Sequence, residues 1–278
     1  MTRPRLFDPD ALEQHRARAD RATGLFLHDH AISGLQERLE EVNRTFTAPA
    51  VVGPFAAHWV ARLGWTGAPA VPDAEVLELA PGAHDLVVHG LGLHWANDPV
   101  GQLIQMRRAL KPDGLALAIL FGGESLMRLR IALAEAETEV AGGLSPRVAP
   151  MGEIRELGAL LQRAGFALPV ADSERFEVSY GDPFAMLRDL RAMGETNALD
   201  ARVRRFTSRG VLMRAMARYA ELAGQPDGRV AADVEIVTLT GWAPSADQQQ
   251  PLRPGSAEAR LADALGAVER PAGDKVGG

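Results

Sequence analysis

The sequence predicts an α/β fold on a doubly wound, mostly parallel sheet, and three observations carry that prediction. HDLVVHGLGL (84–93) is an almost unbroken apolar run, as expected for a strand covered on both faces. LALAILF (115–121) is a second such run. Between them lie a helix with its own start signal and a Lys-Pro-Asp-Gly turn, so strand, helix and strand follow within about 37 residues, the size of one βαβ unit. A right-handed crossover makes those two strands parallel.

The elements follow in order. Residues 8–44 have helical spacing, with a break near Thr23-Gly24 and with Ile32, Leu35 and Leu39 on one face. Residues 45–75 are mixed: the apolar run APAVV, a Gly-Pro punctuation, FAAHWVARL at helical spacing, then GWTGAPAVPD. After the strand at 84–93, either Asn97 or Asp98 caps a helix whose first position is Pro99, where a missing N–H costs nothing. Val100, Leu103, Ile104 and Leu110 form its buried stripe. In Lys111-Pro112-Asp113-Gly114, proline fixes φ and glycine permits the reversal.

A helix from about Ser125 to Val140 follows, ended by Gly142-Gly143. Beyond the link LSPRVAP, a helix over 152–164 is stopped by Gly165. Residues 167–180 alternate weakly and predict a strand. Asp182-Pro183 opens a helix to Met193, closed by Gly194, and another runs over about 207–223. VEIVTLTGW (234–242) is the last strand. From Ala243 onward Pro, Gln, Gly and Ser dominate, which predicts a disordered tail with a short helix at 257–266.

Composition narrows the function. A chain of 278 residues with 46% hydrophobic content can bury a substantial core. A net charge of -6 argues against nucleic acid as the main partner, because phosphate binding needs a basic surface. With no cysteine, disulfides, thiolate metal sites and a cysteine nucleophile are excluded. The start MTRPRLFDPD lacks the apolar core of a signal peptide, and no run approaches the ~18 apolar residues of a spanning helix. A cytoplasmic setting is the expectation.

LHWANDP (93–99) and LKPDG (110–114) resemble the class I S-adenosylmethionine-dependent methyltransferase family, in which a strand ends in a short apolar-His-Trp or Gln-Trp segment before a helix and a Lys-Pro-x-Gly turn. The malonyl-acyl-carrier-protein methyltransferases of that family share this much. A narrower set, FGGESLMRLR (121–130), AEAE (134–137), GGLSPRVAP (142–150), LGALLQRAGF (157–166), DLRAMGETN (189–197) and GW (241–242), is similar to the branch of the methyltransferase-fold assembly factor of mitochondrial complex I and its bacterial relatives. The resemblance spans roughly residues 7–243 and is weak before 84. It implies a Rossmann-like sheet of seven strands, mostly parallel with an antiparallel last strand, and a helical cap between the last two strands. The organisation expected is a helical segment at 1–44, the methyltransferase-like domain at 45–243 with its cap at about 180–230, and the tail at 244–278.

The resemblance also implies a cofactor, S-adenosylmethionine, held by a glycine-rich turn after the first strand and by an acid ending the second. Near residue 50, however, stands TAPAVVGPFAAHW, with one glycine, Gly53, followed by Pro54, and no acidic residue between Asn43 and Gly64. Only about 35 residues separate Val51 from Leu86, barely one βαβ unit, so the N-terminal half is shortened. Asp73, Glu75 and Glu78 have no assigned place as the ribose acid. Gly53, Gly90 and Leu91 are the floor any remodelled cofactor site would use.

Several residues gather at the carboxyl edge of the predicted sheet, where ligands of open α/β sheets bind. His94 and Trp95 either wall a pocket, with His94 as a proton carrier, or plug the cap. Gly122-Gly123-Glu124 is either an anion seat at a helix N-terminus or a tight turn. Arg147 binds a carboxylate or pairs with Glu124 or Glu195. Glu195 and Asn197 stand in a loop, and Asn197 equally suits a cap. His28 and His30 face different sides of a helix and make a poor metal pair, while His84 and His89 read as satisfied core histidines.

Three functions follow from the resemblance: a methyltransferase with a remodelled cofactor loop, a non-catalytic partner-binding relative, and a modifier of a protein arginine by hydroxylation. In the last two the implied partner is a respiratory complex I subunit or another protein, and the former would place the protein at the inner membrane only through that partner. No iron triad is visible for the third.

Overall fold

The structure, a computed structural model, describes residues 5–248, of which 5–244 belong to one unit. The expected tail and its short helix lie almost wholly outside the described residues. Within the unit a six-stranded sheet runs in the order β2-β1-β3-β4-β6-β5, formed by β1 (Pro49–Val52), β2 (Ala70–Val71), β3 (His84–Gly90), β4 (Leu110–Phe121), β5 (Ala167–Tyr180) and β6 (Val230–Trp242). β2, β1, β3 and β4 are mutually parallel, and β6 is antiparallel to both β4 and β5.

The apolar runs predicted as doubly covered strands are so. Val87, Ala116, Ala118, Val237 and Leu239 face one cluster with α4 (Pro99–Ala109) and α6 (Ile154–Ala164). Leu86, Val88, Leu115, Leu117 and Ile119 face the other, with α2 (Phe26–Val42) and α3 (Ala56–Arg62). This is period-two alternation between two helical layers. Asp98, not Asn97, caps α4 by accepting from the Gly101 N–H at 2.8 Å, with Pro99 at the first position. Asn97 instead accepts from the N–H groups of Leu6 and Phe7, tying down the chain's start.

The seven-strand expectation is corrected to six. The cause is the shortened half: β1-α3-β2 forms one crossover, and residues 72–83 then return to β3 without a helix or strand. The N-terminal helices are part of this unit. α1 (Pro9–Ala17) packs Ala11 and Leu12 with Phe7 against Trp95, Ala149 and Leu199.

A cap covers the carboxyl end of β4 and the start of β6. It combines α5 (Met127–Ala141), α7 (Pro183–Ala192) and α8 (Arg209–Ala223) around Leu129, Met186, Met216 and Tyr219. Asp182 caps α7 through its side chain, as the Asp-Pro signal predicts, and Ser208 caps α8 in the same way.

Candidate functional site

The candidate site lies at the carboxyl edge of the sheet, and its two sides differ. On the side of β1 and β3 the crevice is filled by the chain itself. Gly53 has φ +149°, and a Cβ there would sit 2.6 Å from the Gly90 carbonyl oxygen, so the turns after β1 and β3 touch backbone to backbone. Gly90 lies against the Trp59 ring, where a Cβ would come within 2.5 Å. Trp59, Phe55, Leu91 and Leu93 are buried.

Several polar groups in that filling pair with one another, while His89 Nδ1 and Arg16 Nε are buried without a hydrogen-bond partner among the described residues. The Trp59 indole N–H donates to His28 Nδ1 at 2.9 Å. Burial drives the His28 pKa down to about 4, which keeps the ring neutral and Nδ1 free to accept. His89 Nε2–H donates to Gln102 Oε1 at 2.9 Å, while the Gln102 amide donates to the carbonyls of Asp73 and Ala74. Burial lowers the His89 pKa as well.

Asp73 follows β2 directly, where the family's ribose acid is expected. Both of its carboxylate oxygens accept from Arg16, at 2.8 and 3.0 Å. Asp73 Oδ2 also lies 2.5 Å from where a Gly92 Cβ would stand. As packed, the glycine turn lies against Gly90 and both oxygens of the acid accept from Arg16, so S-adenosylmethionine could enter only if both contacts opened. Gly53 and Gly90 pack on one another, and Leu91 is buried beside them.

On the side of β4 and β6 the cap leaves a cavity of about 230 Å³. Its walls are mainly apolar, among them Leu129, Met151, Met186, Leu190 and Val234. The polar residues at its wall include Glu195, Asn197, Arg147, Arg191 and Asp233. Gly194, with φ +80°, ends α7 and lets Arg16 of α1 approach to 3.2 Å from its Cβ position, which sets the adjoining Glu195 over the sheet edge.

Glu195 is the chemical focus. One oxygen, Oε2, accepts from the Trp95 indole N–H at 2.7 Å and from His94 Nε2–H at 3.3 Å. Burial pushes this carboxyl up, but the His94 hydrogen bond and charge, the Arg16 charge and the Trp95 hydrogen bond outweigh it and hold the pKa below the usual carboxylate range. His94 is wedged edge-on to Phe121 at 5.0 Å, and Trp95 edge-on to Phe7 at 5.1 Å. An ionised carboxylate at a mainly apolar wall, held by two N–H donors, can pair with a cation.

The other expected site residues part ways. Trp95, Arg147, Glu195 and Asn197 line the cavity and His94 backs it. Arg147 pairs with neither Glu124 nor Glu195; it donates to Glu137 at 2.6 Å and to Thr207 at 2.7 Å. Asn197 makes no helix cap: it donates to the Pro146 carbonyl and accepts from the Leu199 N–H. Gly122, Gly123 and Glu124 are not in the cavity wall. The anion seat expected there is taken by Glu235, whose carboxylate accepts from the Glu124 N–H at 3.0 Å and fills the space a Gly122 Cβ would need. Glu124 itself bonds Arg175 at 2.9 Å.

Sequence reasoning missed Arg16, named Asp73 without a place and read His28 only as a poor metal partner of His30. Asp73 follows an apolar pair, Ala70-Val71, too short to read as a strand.

Residues 55–118 match the model of a methyltransferase domain. The chain is 40% identical over 183 residues to the mitochondrial arginine-hydroxylase NDUFAF5 of Dictyostelium discoideum, an alignment covering 66% of this chain and 42% of that protein. It is 35% identical over 174 residues to the malonyl-[acyl-carrier protein] O-methyltransferase of Methylovorus sp., covering 63% and 56%. It thus spans about half the length of these relatives. Among solved structures, the YcgJ protein of Bacillus subtilis overlays with a TM-score of 0.48 at 9% identity, over 78% of this chain and 99% of that one. Residues 55–118 thus match a methyltransferase domain, and the chain is similar to the arginine-hydroxylase NDUFAF5 on one side and to the malonyl-[acyl-carrier protein] O-methyltransferases on the other.

Proposed function

We propose that this protein recognises an arginine side chain of a partner protein in the cap cavity. The observation that carries the reading is Glu195: a buried, ionised carboxylate at the cavity wall, oriented by Trp95 and His94. Apolar walls suit the aliphatic stem of arginine, and a carboxylate suits its planar head. Relatives named arginine-hydroxylase make arginine the side chain of choice over lysine. By resemblance the partner is a respiratory complex I subunit, and any contact with the inner membrane through that partner belongs to the same reading. The residues described here supply binding and orientation.

Calorimetric titration with a blocked arginine peptide tests this. The wild-type chain should bind it, Glu195→Gln should weaken binding roughly tenfold or more, and the citrulline analogue should not bind. Equal affinity for citrulline, or an unchanged Glu195→Gln variant, would sink the reading.

A second reading, use of S-adenosylmethionine, is favoured by one observation, the position of Asp73 after β2. It requires Arg16 to leave Asp73 and the packing of Gly53 on Gly90 to open. Millimolar S-adenosylmethionine should leave the melting temperature unchanged; a rise of several degrees would support this alternative.

A further inference from the structure

One guanidinium serves two buried carboxylates. The terminal nitrogens of Arg16 donate to Asp73 at 2.8 and 3.0 Å. Glu195 is close by, because the Gly194 Cβ position lies 3.2 Å from the Arg16 Cα and 3.4 Å from its backbone nitrogen. The two backbones therefore touch one residue before Glu195. Asp73 in turn rests against Gly92, two residues before His94, which donates to Glu195. The turns at 92–95 and 194–195 thus draw both acids into one cluster with Arg16 among them. Its charge acts on the whole cluster. Burial is the main cause that lowers His28 and His89, and the Arg16 charge adds to it; at Glu195 the same charge works against burial.

Neither Arg16 nor Glu195 has spent its full hydrogen-bonding capacity. Arg16 Nε is buried and donates to no described residue. Glu195 accepts through Oε2, and no described residue donates to Oε1. An unspent N–H and an unspent carboxylate oxygen on adjoining turns are complementary, and a buried donor without an acceptor is costly. Their union would be the same arginine–carboxylate pair that the cavity offers a ligand. What holds Arg16 away is the second acid: two charged hydrogen bonds to Asp73, which is only 6% exposed, fix the guanidinium end-on.

Resting on arginine recognition at Glu195, we propose that Arg16 is an internal competitor for the carboxylate that receives the partner's arginine, and that Asp73 is the positioning residue that withholds it. With Asp73 ionised, Arg16 is occupied and Glu195 Oε1 has no internal donor. Without Asp73, the guanidinium turns to Glu195 and fills the site from within. The acid after β2 then serves the cavity, through a guanidinium, and not only the packing around Gly92. An ordinary structural ion pair gives up stability when broken; this one also decides whether the cavity is open.

Calorimetric titration of a blocked arginine peptide into the full chain and its variants tests the proposal. Asp73→Asn removes a charge but no volume, so circular dichroism should show it folded. It should lower affinity about tenfold, although Asp73 does not line the cavity. Asp73→Ala, which offers Arg16 no acceptor, should lower it at least as far. Arg16→Met combined with Asp73→Asn should return affinity to within about threefold of wild type, because the competitor is gone; a purely structural role for Asp73 predicts no such rescue. Urea denaturation reads the same contact without a ligand. The midpoint shift caused by Glu195→Gln should roughly double in the Asp73→Asn background, where Glu195 has gained Arg16, and return to its original size when Arg16→Met is added. Unaltered affinity in both Asp73 variants, or a double variant as weak as Asp73→Asn, would overturn the proposal. If the wild type does not bind the peptide, arginine recognition itself falls, and the midpoint shifts then decide: additive shifts overturn the competition as well, while non-additive shifts keep it as an internal exchange between the two acids.

Discussion

Above β1 and β3, Trp59 bonds His28, Arg16 bonds Asp73, and glycine packs on glycine. Above β4 and β6, Glu195 is held on one oxygen by Trp95 and His94 and borders open space. The first region turns polar groups inward on one another; the second keeps an ionised group oriented toward a cavity. Buried polar groups that satisfy each other specify structure, whereas a carboxylate kept ionised beside a void is what a ligand needs. The two regions should therefore answer mutation in opposite ways, with large stability losses and no ligand effect on one side and the reverse on the other.

The largest effect belongs to Trp59→Ala. It removes a fully buried ring, leaves the space in front of Gly90 empty and takes the hydrogen-bond donor from His28. Loss of about 4 kcal/mol in urea denaturation is expected. If the variant instead melts near wild type and gains affinity for S-adenosylmethionine, the region is a plugged site and not core.

His28 comes next, through pH. Its folded pKa of about 4 lies below the unfolded value near 6.5, so the unfolded chain takes the proton first as pH falls. The stability this neutral ring contributes is whole above about pH 6.5 and is lost progressively toward pH 4, by up to about 3 kcal/mol. His28→Gln keeps an acceptor for Trp59 and should flatten that part of the stability–pH curve. An unchanged slope would transfer the effect to His89, whose pKa is lowered in the same direction.

Arg16→Met leaves the Asp73 carboxylate, 6% exposed, without its two charged hydrogen bonds. Because Arg16 is itself partly open to water, at 15%, the expected cost is about 2 kcal/mol. Adding Asp73→Asn should recover most of it, since the double variant removes the stranded charge. A thermal shift with S-adenosylmethionine sharpens the comparison. No response in Arg16→Met means that Gly53 and Trp59 close the crevice without help, while a response makes Arg16 the latch.

What the sequence made legible divides along the same line. The apolar runs at 84–93 and 115–121, the Asp-Pro helix starts and the glycine stops are local signals, and each matches an element to within a few residues. β2 is two residues long and has no periodicity to detect, so Asp73 could not be placed. Arg16 meets Asp73 across 57 positions, and Glu235 meets Glu124 across 111, distances at which only packing decides the partner. Gly122-Gly123-Glu124 looked like an empty anion seat for that reason: the carboxylate that fills it comes from the last strand. Glu195 was visible because its loop carries polar residues between two helices, and its neighbours His94 and Trp95 because they end a buried strand.

The smallest stability effect is expected where the functional effect is greatest. Glu195→Gln preserves shape and an acceptor for the Trp95 indole, and gives up only the charge in the bonds from Trp95 and His94. Removing the charge also removes its burial penalty, so the two changes largely offset and about 1 kcal/mol should be lost at neutral pH. Because the folded pKa of Glu195 is depressed, even that contribution belongs to pH values above the unfolded carboxylate range and is lost in acid, so wild type and variant should converge as pH falls below it. Denaturation midpoints of the two proteins at neutral and acid pH, set beside their affinities for the arginine peptide, separate the roles. A large stability loss with intact affinity would make Glu195 a structural anchor like Asp73 and erase the contrast between the two sides of the sheet.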